Sequence, residues 1–126
     1  MFVLYLQLYW FDCYCRDERL AYIYAVATAK SHRGKGLAFA LMKDTHTHLA
    51  SLGYTGALLV PGEGSLFDFY GRLGYVTATY IGEISATASG EVSLSRIDGE
   101  EYARIRRTLL PEGGVIQENE NIAFLS

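Results

Sequence analysis

The architecture of this chain turns on Tyr22-Ile23-Tyr24-Ala25-Val26-Ala27-Thr28-Ala29-Lys30-Ser31-His32-Arg33-Gly34-Lys35-Gly36-Leu37-Ala38. Residues 20–28 are apolar and rich in aromatic and β-branched side chains, which predicts a largely buried strand. Residues 30–36 are polar and glycine-rich, so they cannot continue such a strand and predict a turn. From Leu37 the period changes. Leu37, Ala38, Leu41, Met42, Leu49 and Leu52 recur at three- and four-residue steps, the pattern of an amphipathic helix that stops at Gly53. Strand, glycine turn and helix in this order make an anion site. Glycine admits a ligand close to the backbone, and the unpaired amides of the first helical turn sit at the positive end of the helix dipole. Lys30, Arg33 and Lys35 add positive charge around it.

Upstream, an apolar run over residues 2–14 and the run from Leu20 flank Arg16-Asp17-Glu18-Arg19, which predicts an antiparallel hairpin with a solvated turn. Downstream, a short strand over residues 57–60 is broken by Pro61-Gly62-Glu63-Gly64. Ser65 and Asp68 then read as a capping-box-like start to a helix carrying Leu66, Phe69, Tyr70 and Leu73, closed by Gly74. Residues 75–85 and 91–95 predict a further hairpin, and residues 100–110 a third helix ended by Pro111. The tail from Val115 fits either a loose helix or a strand.

Length and composition bound the rest. With 126 residues, half of them apolar, the chain is expected to form one domain over 1–126. A formal charge of −3 argues against a nucleic-acid partner, because neutralising phosphates needs a basic face. Cys13 and Cys15 are too few and too close for a secreted disulfide framework, so reduced thiols in a cytoplasmic setting are expected. The apolar residues 1–11 are interrupted by Gln7 and too short to span a bilayer, so no membrane partner is expected.

Three phosphate-binding patterns compete for the glycine turn. A P-loop requires Ser or Thr after its Gly-Lys, and Gly36 is followed by Leu37. A dinucleotide fingerprint requires Gly or Ala where Phe39 stands, and an acid about twenty residues on, where residues 54–56 carry none. The turn instead resembles the acyl-CoA signature of the GNAT N-acetyltransferase family, Arg/Gln-x-x-Gly-x-Gly/Ala, through Arg33, Gly36 and Ala38. Residues 22–28 look like that family's fourth strand, and residues 65–75 look like its Phe-Tyr-x-x-x-Gly-aromatic segment through Phe69, Tyr70, Gly74 and Tyr75.

The resemblance implies an α/β fold of the α+β kind, with a GNAT-like mixed, mostly antiparallel central sheet flanked by helices. It also implies a CoA-binding core at about residues 20–76 with an extension over 77–126. Acetyl-CoA is the implied co-substrate, with no metal, and a primary amine on a small molecule or peptide is the implied acceptor. Ala25, Val26 and Ala27 would pair with pantetheine where two strands splay, and Arg33, Gly34, Lys35, Gly36, Leu37 and Ala38 would hold the pyrophosphate. Tyr70 aligns with a tyrosine that protonates the leaving thiolate, although a core tyrosine would look the same in a chain with ten of them. Glu63 reads as a base, as a carboxylate steering the amine, or as a solvated loop acid. Asp12 is a weaker candidate for the base.

His46 and His48, two apart on a helix, face different ways and do not make a metal pair. The full family domain carries a strand and two helices ahead of the central strands, whereas one apolar segment precedes Tyr22 here. The acceptor wall is therefore expected from another chain, or the protein is a non-catalytic or incomplete CoA-binding module acting as a sensor or as half of an assembly. An uncovered apolar first strand, with Val3, Tyr5, Tyr9 and Trp10, predicts a homodimer.

Overall fold

The computed structural model describes residues 6–80, 83, 85–87 and 89–117. The expected first hairpin is present as β1 (Leu6–Cys15) and β2 (Glu18–Thr28), antiparallel, with Cys15 opposite Glu18 and Trp10 opposite Ile23. The turn is tighter than the charged tetrapeptide suggested. Only Arg16 and Asp17 lie outside the strands, and Arg16 takes the left-handed φ of 55° that tight hairpins favour. Helix α1 (Leu37–Ser51) follows, then β3 (Gly56–Leu58), α2 (Leu66–Gly71), α3 (Gly99–Leu109) and β4 (Val115–Gln117). The sheet order is β3-β2-β1-β4, with β2 and β3 parallel and the other two pairs antiparallel. This is the mixed, mostly antiparallel sheet with helices that the sequence predicts.

Alternation sorts the hairpin into two faces. Ala21 and Ile23 turn toward α1 and are buried with Met42 and Leu49 of that helix and Tyr70 of α2. Leu8, Trp10, Val26, Ala57 and Leu59 pack around this cluster. Full burial of a side chain such as Met42 contributes about 1.5–3 kcal/mol. The other face carries Tyr9, Phe11, Tyr22 and Tyr24, with the Phe11 and Tyr22 rings stacked at 4.8 Å.

Glycines end both core helices in the same way. At Gly53 (φ 87°) the Gly53 amide donates to Ala50 and the Tyr54 amide to Leu49; at Gly74 (φ 94°) the Gly74 amide donates to Gly71 and the Tyr75 amide to Tyr70. Each pair of bonds satisfies carbonyls that a helix end would leave open, and sets the next aromatic residue against the core.

Three expectations change. Among the described residues of 75–85 and 91–95 none joins a ladder, and Val76 and Leu94 are 81% and 93% exposed. Alternating apolar residues make a strand only where a neighbour offers hydrogen bonds and a face to cover, and neither is present beside them. Ser65 does not cap α2: it is itself helical, and its hydroxyl donates to the Glu63 carboxylate at 2.8 Å. The tail resolves as a strand, with β4 pairing Val115, Ile116 and Gln117 against Cys15, Tyr14 and Cys13. The first strand is therefore no bare edge where β4 covers it, and Trp10 packs on the core with its ring 6.1 Å from His48. Val3 and Tyr5 lie outside the described residues.

Candidate acyl-CoA site

The candidate site starts where β2 outruns its neighbour. The β2–β3 ladder has three pairs, Leu20 with Gly56, Ala21 with Ala57 and Tyr22 with Leu58, while β2 continues to Thr28. Its register against β1 shifts between Gln7 opposite Ala27 and Tyr9 opposite Tyr24, so Ala25 and Val26 together oppose Leu8. This is a β-bulge, and Ala25 occupies the left-handed region at φ 53°. An L-residue there costs about 1–2 kcal/mol, which the surrounding pairing must hold. Ala25 and Ala27 are exposed and Val26 is half-buried.

The chain then passes through a single 3-10 turn at Lys30–His32 into the glycine segment. The Arg33 Nε donates to the Thr28 carbonyl at 3.0 Å, fastening the turn to the end of β2. Gly34 and Gly36 have φ of 75° and 72°, and a Cβ placed on either would have no atom within 4 Å. Gly36 is the N-cap of α1, no side chain caps it, and the first helical bond runs from the Ala40 amide to the Gly36 carbonyl at 3.0 Å. The amides of Leu37, Ala38 and Phe39 thus precede the helical ladder. Lys30, Arg33 and Lys35 are exposed beside them. The open flank, the amides before the ladder and the three cations fit a pyrophosphate.

Tyr70 stands under the divergence of β2 and β3, 9% exposed, in the cluster that holds Ile23 and receives Val26 and Leu59. Its ring meets Phe69 at 5.1 Å and Tyr75 at 5.8 Å, both edge-on, and burial raises its phenol pKa. Glu63 lies in the exposed loop between β3 and α2, bonded to Ser65.

Asp12 belongs to a different arrangement. Arg19 donates to it through Nε at 3.1 Å, and the Tyr54 hydroxyl bonds its other oxygen. Arg19 also lies 4.1 Å over the Tyr54 ring and donates to its hydroxyl at 3.1 Å. Burial first, and then the bond to Asp12, push the Tyr54 phenol up. This is a latch between the hairpin and the segment following α1, so Asp12 is tied into structure; the sequence hint was a lone acid in an apolar strand with an arginine seven residues on. His46 and His48 diverge as expected, with His46 Nε2 2.8 Å from the Tyr75 hydroxyl and His48 exposed. Among the described residues no cluster of three metal-ligating side chains occurs. Nor is any helix among them long and apolar enough to cross a membrane.

A hairpin, a bulged strand opening from its parallel neighbour and a glycine turn at a helix head define an acyl-CoA-binding α/β class. The sequence model of the acetyltransferase (GNAT) domain matches residues 6–78, more than half of the chain, and the chain belongs to that family. It is 40% identical over 60 residues to the N-acetyltransferase Eis of Mycobacterium tuberculosis and of Mycobacterium bovis. That match spans 48% of this chain and 14% of those proteins. Among solved structures it is similar to an acetyltransferase of Trypanosoma brucei, with a TM-score of 0.51 and 24% identity over 63% of this chain and 56% of that one. It is also similar to a GCN5-related N-acetyltransferase of Ralstonia eutropha, with a TM-score of 0.52 and 23% identity over 65% of this chain and 56% of that one. Likeness at these identities shows a shared fold.

Proposed function

We propose that this chain is an acetyl-CoA-dependent N-acetyltransferase acting on a primary amine of a small molecule or peptide. The observation that carries the proposal is the bulged end of β2, which runs beyond its last pair with β3 straight into the glycine turn at the head of α1. Backbone groups of Ala25, Val26 and Ala27 on that side are free of the β3 ladder, and bonding them to the amides of pantetheine would satisfy both partners. The amides from Gly34 to Ala38, with Lys30, Arg33 and Lys35, would hold the pyrophosphate.

When bound, acetyl-CoA supplies an activated acyl group: the amine nitrogen bonds to the acetyl carbon, the carbon–sulfur bond breaks, one proton leaves the nitrogen and one reaches the sulfur. The protein's part is then mostly positioning. Tyr70, kept protonated by burial, would give the proton to sulfur. Glu63 would steer the ammonium or take its proton from the loop at the end of β3. A second reading, a CoA-binding module without turnover, is favoured by one observation: Tyr70 sits within the hydrophobic cluster. Titration with acetyl-CoA and with CoA, followed by thiol release across a panel of amines, separates the two. Binding with release supports the enzyme, binding alone supports the module, and no binding rejects both.

The same reading takes residues 1–126 as one domain, with its cofactor half at about 20–76, in a reducing cytoplasm where Cys13 and Cys15 stay as thiols. It also includes a homodimer. The β1–β4 ladder involves only residues 13–15 of β1, and Tyr9 and Tyr24 leave an aromatic face 47% and 43% exposed beside it.

A further inference from the structure

Where β3 leaves β2, its continuation also walls a cavity of about 590 Å³. Leu59 and Val60, just beyond the last ladder pair at Tyr22 and Leu58, form one side. Phe67 and Gly71 of α2 form another, and Tyr75 closes the inner end, with its ring 5.8 Å from that of Tyr70. Two hydroxyls, on Thr77 and Thr79, are the polar side chains of the segment that completes it with Tyr80. The wall residues carry no formal charge. Gly71 leaves a bare patch in this wall, since a Cβ there would meet no atom within 4 Å. The volume suits a small organic molecule, and apolar walls with a few hydroxyls are the usual lining for one. Several ammonium groups would find nothing here to offset their desolvation.

We propose that this cavity holds the apolar or aromatic tail of the acceptor, so that the amines the chain acetylates are arylalkyl or branched alkyl primary amines rather than polycationic sugars. The proposal rests on the transferase reading above. It places the tail among Phe67, Tyr75 and Tyr80 and leaves the amine at the mouth beside Leu59, one ring away from Tyr70.

Gly71→Leu is the direct test, because leucine is a good helix former and its side chain would grow into open cavity. With the full chain, binding of 2-phenylethylamine is measured by saturation-transfer NMR and its acetylation by thiol release, while acetyl-CoA affinity is measured separately by calorimetry. The expected result is that 2-phenylethylamine binds and is acetylated in preference to kanamycin. Gly71→Leu should then raise its Kd and KM by about tenfold or more, the scale set by blocking a hydrophobic pocket, with acetyl-CoA affinity unchanged. Phe67→Ala, at an exposed position tolerant of truncation, should weaken the same amine without adding bulk. Preference for kanamycin, or 2-phenylethylamine affinity unmoved by both variants, overturns the cavity assignment alone. Amine bound by a protein that binds no acetyl-CoA overturns the transferase reading and the acceptor role with it.

Discussion

Valine at position 36 would perturb the glycine turn in two separable quantities. Gly36 sits at φ 72° and ψ 9°, and a Cβ there would have no protein atom within 4 Å. The folding cost of Gly36→Val is therefore backbone strain rather than collision, about 1–2 kcal/mol for an L-residue in the left-handed region. For a chain of this size that lowers the melting temperature by roughly 5–10 °C. The cost to the ligand is distinct, because the branched side chain occupies the open flank beside the amides of Leu37 and Ala38. Displacing a pyrophosphate from two such amides forfeits charge-assisted bonds worth about 1.5–3 kcal/mol each. A loss of this size corresponds to about a hundredfold or more in Kd. Gly36→Asn serves as the control, since asparagine tolerates the left-handed backbone yet still fills the flank; it should keep stability and lose affinity. Calorimetric titration with acetyl-CoA and a thermal melt of each variant give both quantities. A folded Gly36→Val protein that binds acetyl-CoA as the parent does would refute the assignment of the turn.

Tyr70→Phe removes one hydroxyl from a packed ring, so turnover should fall by roughly a hundred- to ten-thousandfold with acetyl-CoA affinity nearly unchanged; full activity across pH would make Tyr70 a core residue only. Burial holds His46 below its ordinary pKa of 6.5, so the unfolded chain takes up a proton first as pH falls. The stability linked to His46 is thus present above pH 6.5 and lost as pH drops through the lower folded value; urea midpoints on either side should show this slope, and His46→Gln should flatten it. Cys13 is fully buried and its thiol is pushed up to about 11, first by burial and then by Asp12, whereas Cys15 is partly exposed. Iodoacetamide in mild base should label Cys15 and spare Cys13 until the protein unfolds; equal labelling of the native protein would contradict this burial. Light scattering at micromolar concentration should report a dimer, and Tyr9→Lys with Tyr24→Lys should dissociate it; a well-behaved parent monomer sinks the idea.

The helices and the first hairpin were legible because their signals are local. Leu37, Met42 and Leu49 announce one face of α1, Gly53 announces its end, and the apolar runs around Arg16 and Asp17 announce a hairpin. The glycine turn was legible for the same reason. What stayed hidden depends on a distant partner. Nothing about Ala25 advertises a left-handed residue, since alanine rarely adopts one, and only its pairing with β1 reveals the bulge. Residues 91–95 alternate as a strand would but lack a neighbour, whereas Val115 looked ambiguous and found one in Cys15. The Asp12, Arg19 and Tyr54 latch and the His46–Tyr75 bond join segments separated in sequence, so spacing alone could not pair them.

The bulge at Ala25 has a consequence for how this protein can change in length. Ahead of it, odd-numbered residues of β2 look inward, as Ala21 and Ile23 do; beyond it, Val26 joins the same buried cluster. One extra residue has exchanged odd for even. Deleting a single residue at this point would restore the simple alternation, send Ala27 inward in place of Val26, and pull Thr28 out of the position where its carbonyl receives Arg33. Substitutions along β2 can be absorbed one side chain at a time, whereas an insertion or deletion between Ile23 and Arg33 changes the parity of everything that follows, and the glycine turn inherits the error.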